Sequence, residues 1–92
     1  MATLIIPTPL RKFTANQASF ESEGSTVRDV VRDLVTAHRG LQAHLLDDQG
    51  NLRSFIRIFV GDDDIQSLDQ EDTVVANGTT ISIIPAIAGG SH

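Results

Sequence analysis

The sequence predicts a two-layer α+β domain: a mixed sheet of four to five strands with one main helix packed on one face. Three observations predict it. An apolar stripe at helical spacing occupies the middle of the chain, at Val27, Val30, Val31, Leu34, Val35 and His38. Alternating or β-branched segments precede it, at residues 3–7 and 18–22. Further β-prone segments follow at 55–60 and 80–84, the last introduced by Asn77-Gly78. A hairpin, a crossover helix and further strands then make one sheet, with the first and last strands parallel at its centre.

Each element has its own signals. Residues 3–7 are β-prone and end at Pro7 and Pro9, which stop a ladder because proline lacks the N–H donor. After a loop at 10–16, the stretch 18–22 alternates, with Ala18, Phe20 and Ser22 on one face and Ser19 and Glu21 on the other. Ser25 or Thr26 caps the helix, and Gly40 supplies its stop. The polar side of that helix carries Arg28, Asp29, Arg32, Asp33 and Arg39, a solvated face. Valine is a mediocre helix former, so packing of the stripe must hold the helix. Residues 41–46 form a short helical turn closed by Asp47-Asp48-Gln49-Gly50-Asn51. In 55–60, Ile56, Ile58 and Val60 face the core, which leaves Phe55, Arg57 and Phe59 on the side away from the helix. Gly61-Asp62-Asp63-Asp64 is a turn, and Ile65 returns the chain to the sheet. A polar loop at 66–73 leads to Val74 and Val75.

Composition narrows the function. A chain of 92 residues is one domain, read as residues 1–84 followed by a flexible tail at 85–92. It leaves no room for a second domain enclosing a deep cleft, which argues against a self-sufficient enzyme. Seven basic against twelve acidic residues give a net charge of −5, the wrong sign for nucleic acid or an anionic membrane. There is no cysteine, so a disulfide framework, a thiolate zinc site and a cysteine nucleophile are excluded. The apolar run near the N-terminus is too short for a signal peptide or a membrane span, and the expectation is a soluble, cytoplasmic protein.

The chain ends in Ile81-Ser82-Ile83-Ile84, then Pro85-Ala86-Ile87-Ala88-Gly89-Gly90. Two successive glycines thread a narrow channel and allow another backbone close approach. This ending, with the segment Phe59-Val60-Gly61-Asp62-Asp63-Asp64-Ile65 at its distance upstream, resembles the ubiquitin-like sulfur-carrier proteins that serve molybdopterin, thiamine and related sulfur pathways. The resemblance implies a ubiquitin-like β-grasp fold and a protein cosubstrate rather than an enzyme. It implies that Gly90 is adenylated by an ATP-dependent partner and converted to a thiocarboxylate, which then donates sulfur to a sulfur-accepting synthase. Gly89, Ala88 and Ile87 would serve tail recognition, and no cofactor would be bound by the chain itself, ATP being used by the partner.

Two departures qualify that likeness. Ser91-His92 follows Gly90, and a carboxyl held in a peptide bond cannot be adenylated. Either Ser91 and His92 are a remnant foreign to the natural protein, or they are a precursor extension removed after Gly90, by a zinc-dependent peptidase as in some relatives; removal is the expectation. Thr79 stands where many relatives carry an acidic residue. Two other functions share the same tail: a protein modifier joined to lysines through Gly90, and a non-catalytic docking domain.

Other residues carry weaker signals, each with a plainer role beside it. Phe55, Arg57 and Phe59 have the composition of a partner surface, or loops cover them. Asp62-Asp63-Asp64 fails as a calcium loop, since the sixth and twelfth positions from Asp62 are Ser67 and Thr73 rather than Gly and Glu. His38, His44 and His92 show no ligand spacing, and no metal is expected. Ser25 and Thr26 lack a nucleophile motif and read as caps. Lys12 is the only lysine, too few for ubiquitin-type chains.

Overall fold

The computed structural model describes residues 1–53 and 55–85. Strands β1 (Ala2–Ile5) and β2 (Ser19–Ser22) form an antiparallel pair, with Leu4 opposite Phe20. Helix α1 (Val27–Ala37) follows, then the single turn α2 (Gln42–Leu45). Strands β3 (Ile56–Val60), β4 (Asp63–Asp64) and β5 (Thr80–Pro85) complete a sheet of order β2-β1-β5-β3-β4. β1 runs parallel to β5, with Leu4 opposite Ile81, and β3 runs antiparallel to it, with Ile58 opposite Ile83. This is the predicted mixed sheet, with β5 at its centre and β1 beside it.

The core lies between the sheet and α1. Leu4, Ile58, Ile81 and Ile83 point inward from three strands, and Val27, Val30, Val31, Leu34 and Val35 meet them from the helix, all buried. The helix begins where the sequence placed it. The Thr26 side chain accepts the Asp29 N–H at 3.2 Å, which satisfies one orphan donor of the first turn. Its start is tied to the distal segment by Val27 N–H to Thr73 O at 3.0 Å and Val75 N–H to Ser25 O at 2.9 Å. On the flank toward β2, the Ser22 hydroxyl donates to the Asp33 carboxylate at 2.5 Å. Gly24 makes the crossing from β2 to α1 possible: a Cβ there would sit 2.8 Å from Asp29 Cβ and 2.9 Å from Val30 N.

Several expectations need correcting. β1 is Ala2–Ile5 rather than 3–7. Ile6 is still buried, and its N–H bonds Ala18 O at 2.8 Å, but Pro7 has no donor with which to continue. Part of the loop expected at 10–16 is a 3-10 helix, Thr8–Phe13, with Pro9 in its first turn and Leu10 buried. Gly40 does not stop α1. The helix ends at Ala37 with His38 as its C-cap, and Gly40 lies inside the 3-10 turn Arg39–Leu41. Its missing side chain gives room to Phe13, whose ring edge would lie 3.1 Å from an added Cβ.

The 61–65 stretch also differs. Asp63 and Asp64 pair with Val60 and Phe59 as β4, so the turn is tighter than expected. Ile65 opens a 3-10 turn, Ile65–Ser67, and is buried as part of the core rather than extending the sheet. Strand β5 runs through Pro85, one residue past the expected domain boundary at 84. Among the described residues Pro85 pairs only with Ile56, because β1 ends opposite Ser82, and a residue without an N–H fits where one side of the ladder is open.

Candidate functional site

The tail residues Ile87, Ala88, Gly89 and Gly90, and the extension Ser91 and His92, lie outside the described residues. What the fold places is their origin. Pro85 is the end of the central strand, so the chain leaves the described domain from the middle of the sheet.

Around that end, the outer face of the sheet is built by strict alternation. Ile81 and Ile83 point into the core, so Ser82 and Ile84 point outward. Ser82 is opposite Ile5 on one side and Phe59 on the other, and Ile84 is opposite Arg57. Opposed residues of neighbouring strands share a face, so Ile5, Arg57, Phe59 and Ile84 lie together on the side away from α1. Three large apolar side chains are exposed in this region: Ile84 at 48%, Phe55 at 40% and Ile5 at 37%.

The three predicted surface residues are thus not equivalent. Arg57 is exposed, Phe59 is half-buried, and Phe55 is exposed but precedes β3, in a turn. Sequence reasoning passed over Ile5 and Ile84. The alternation of 81–84 contained the signal for Ile84, whereas Ile5 required the parallel pairing of β1 with β5. It also missed the partner of Arg57. The Arg57 guanidinium donates to the Asp64 carboxylate at 3.0 Å, from β3 to β4.

Asp64 has a second task. Its other oxygen accepts the Gln66 N–H at 2.9 Å and caps the 3-10 turn that follows. That backbone bond lowers the Asp64 pKa below its ordinary 3.8; desolvation opposes the shift, and the hydrogen bond and charge of Arg57 reinforce it. The carboxylate is therefore charged at neutral pH, and it holds the Arg57 head across the outer face.

The remaining candidates fall elsewhere. Ser25 and Thr26 lie at the start of α1, with Thr26 as the cap. His38 is half-buried with its ring edge-on to Phe20 at 6.0 Å, and His44 stacks against Phe13 at 4.4 Å. Lys12 lies over the Phe13 ring, 5.3 Å from its centroid. Among the described residues, no three His, Asp or Glu side chains gather as a metal site, and no helix is long and apolar enough to cross a membrane.

Comparison with known proteins gives consistent likenesses. The sulfur carrier protein CysO of Mycobacterium tuberculosis is 37% identical over 90 residues, which span 96% of this chain and 97% of that protein. The small archaeal modifier protein 3 of Haloferax volcanii is 29% identical over 68 residues, 74% of this chain and 73% of that one. Among solved structures, a BexX/CysO complex of Amycolatopsis orientalis superposes with a TM-score of 0.88 at 36% identity, covering 98% of this chain and 100% of its counterpart. These neighbours share the β-grasp fold described above. The ThiS family model matches residues 4–90, from the first strand through Gly90, and the chain belongs to that family.

Proposed function

We propose that this chain is a sulfur carrier, a protein cosubstrate with no catalytic residues of its own. The observation that carries the reading is the extent of the match. The family model runs through Gly90, and the CysO likeness spans 96% of the chain.

In this reading a peptidase, zinc-dependent by analogy with some relatives, cleaves after Gly90 and frees its carboxyl from Ser91-His92. A partner enzyme then binds ATP. A Gly90 carboxylate oxygen attacks the α-phosphorus, pyrophosphate leaves, and an acyl-adenylate forms. A sulfide equivalent displaces AMP at the carbonyl carbon, which leaves a thiocarboxylate for a sulfur-accepting synthase. Gly89 offers no side chain to the walls of a narrow channel. Ile87 and Ala88 give the partner a small apolar grip. The outer face beside β5, with Ile5, Phe55, Arg57, Phe59 and Ile84, is the surface on which such a partner docks. The exposed apolar groups around an arginine support that assignment.

The test is intact mass after incubation of the protein ending at Gly90 with a family adenylating enzyme, ATP and sulfide. The expected product is heavier by the difference between sulfur and oxygen. Gly90→Ala is expected to lose that product with an unchanged melting temperature. Failure of the protein ending at Gly90 to gain mass overturns the reading.

A modifier role is the second reading, favoured by the likeness to small archaeal modifier protein 3. It predicts isopeptide adducts on target lysines, rather than a thiocarboxylate, in the same incubation.

A further inference from the structure

On the helix side of the molecule, opposite the outer sheet face, the charges of α1 are sorted by sign. Asp29 and Asp33 occupy one flank, where Asp33 is bonded to Ser22 of β2. Arg28 and Arg32 occupy the other, four residues apart, with Arg39 following just beyond the helix. Like charges at that spacing repel and weaken an isolated helix, which the single Asp29–Arg32 pair across the flanks offsets only in part.

These three arginines line one side of a furrow of about 480 Å³ between α1 and the turn at 46–51. Val31, Val35 and Leu46 also line it, and Gln49 and Asn51 form its far side. A second depression of about 370 Å³ shares Arg39, Gln42 and Leu46 with the first and adds Arg53, which its Nε–H to Ala43 O bond of 2.8 Å holds in place. Four of the seven basic residues of a chain of net charge −5 therefore line one continuous track.

The acidic groups beside the track are partly occupied. Glu71, which itself lines the furrow, and Asp72 pair with Arg28 at 3.7 and 3.2 Å, and Asp29 reaches Arg32 at 3.8 Å. Asp47 lines the second depression, but its Oδ1 accepts the N–H groups of Gln49 and Asn51. Asp48 is the remaining acidic wall. No described carboxylate lies within ion-pair distance of Arg39, and Arg32 is 67% exposed.

We propose that this track is a docking groove for an extended acidic segment of a partner protein. Charge complementarity selects the sign of the occupant, and length selects its class. The helical part of the track alone, from Arg28 to the end of α1 at Ala37, spans roughly 14 Å at the helical rise, which is too long for a single phosphate. It matches about four residues of extended chain at ~3.3 Å each. Such a segment sets carboxylates at alternate positions against the arginines, and its intervening aliphatic groups point the other way, toward the 46–51 wall that Leu46 helps to form. The groove and the outer sheet face are on opposite sides of the domain, so the inference is independent of tail chemistry.

The experiment is an amide chemical-shift titration of the full chain with a short blocked peptide of alternating glutamate and valine. The expected shifts fall within 31–42 and 46–51, weaken as salt is raised, and are absent with the lysine–valine counterpart. The double variant Arg32→Gln/Arg39→Gln, at two exposed positions outside the core, is expected to raise Kd about tenfold or more with an unchanged amide spectrum elsewhere. Shifts that gather instead on Ile5, Arg57 and Ile84, or no shifts at millimolar peptide, overturn the proposal. Equal affinity for inorganic pyrophosphate makes the track a small-anion site and also overturns it. Concentration-dependent shifts of the same residues without peptide make the occupant a second copy of this chain.

Discussion

The two faces of the sheet are made by the same strands, yet they are built to opposite specifications. On the inner face, Leu4, Ile58, Ile81 and Ile83 are all but inaccessible and pack against the valines of α1. On the outer face, one residue away along each strand, Ile5, Arg57 and Ile84 are exposed and nothing from the described chain covers them. A period of two thus separates what keeps the domain folded from what it can offer to a partner. The lesson is that stability and recognition are addressable by neighbouring positions of one strand, and β5 is where they are closest together.

Ile81 and Ile84 make the sharpest pair for breaking that comparison. Ile81→Ala removes a fully buried side chain from the central strand, flanked by Leu4 of β1 and Val60 of β3. The expected loss is about 2–5 kcal/mol in a denaturant titration, a large fraction of the stability of a domain this small. Ile84→Ser, three residues on, is expected to cost less than about 1 kcal/mol, since the side chain is half-exposed already. Its effect belongs in the partner assay instead: a raised KM for the carrier in adenylation, with kcat little changed. If Ile84→Ser unfolds the domain, or leaves KM untouched, the division between the faces fails.

Most of this fold was legible because local and global signals agree. The α1 stripe, the Thr26 cap and the alternation of 18–22 each specify an element without reference to distant residues. The errors cluster where a tertiary partner decides. Gly40 looks like a helix stop until Phe13 is seen against it. Asp63-Asp64 looks like pure turn until Val60 and Phe59 pair with it. Ile65 reads as a strand residue, but the Asp64 cap winds the chain into a 3-10 turn that buries it. For the outer face, the exposure of Arg57 was readable from the alternation of 56–60, whereas the Arg57–Asp64 pair depends on the register of β3 with β4. The helix-side track was the least legible. Arg28, Arg32 and Arg39 read as an ordinary solvated face until the 46–51 turn is placed across from them.

The smallest expected effect sharpens the comparison from the electrostatic side. Asp64 belongs to the outer face, and its pKa is lowered, chiefly by the Gln66 N–H and further by Arg57. A lowered folded-state pKa means that this contribution to stability is complete above the unfolded value and is lost as pH falls through the folded one. Asp64→Asn keeps an oxygen that can accept the Gln66 N–H, because asparagine caps nearly as well as aspartate, but it removes the charge facing Arg57. Stability of the variant relative to the parent, measured by urea titration, is therefore expected to show a small constant deficit at neutral pH. The deficit should begin to shrink only below the ordinary value of 3.8 and should close as Asp64 itself becomes neutral. Because the Gln66 bond also favours the charged carboxylate, the titration is repeated in an Arg57→Gln background: a deficit that survives there belongs to the turn, and Arg57 is then placed by the strand rather than by its partner. A small deficit that closes in acid and vanishes without Arg57 means the pair positions Arg57 while contributing little to folding, as an exposed ion pair does. That is the behaviour of a side chain set out for recognition on a face that the core does not need.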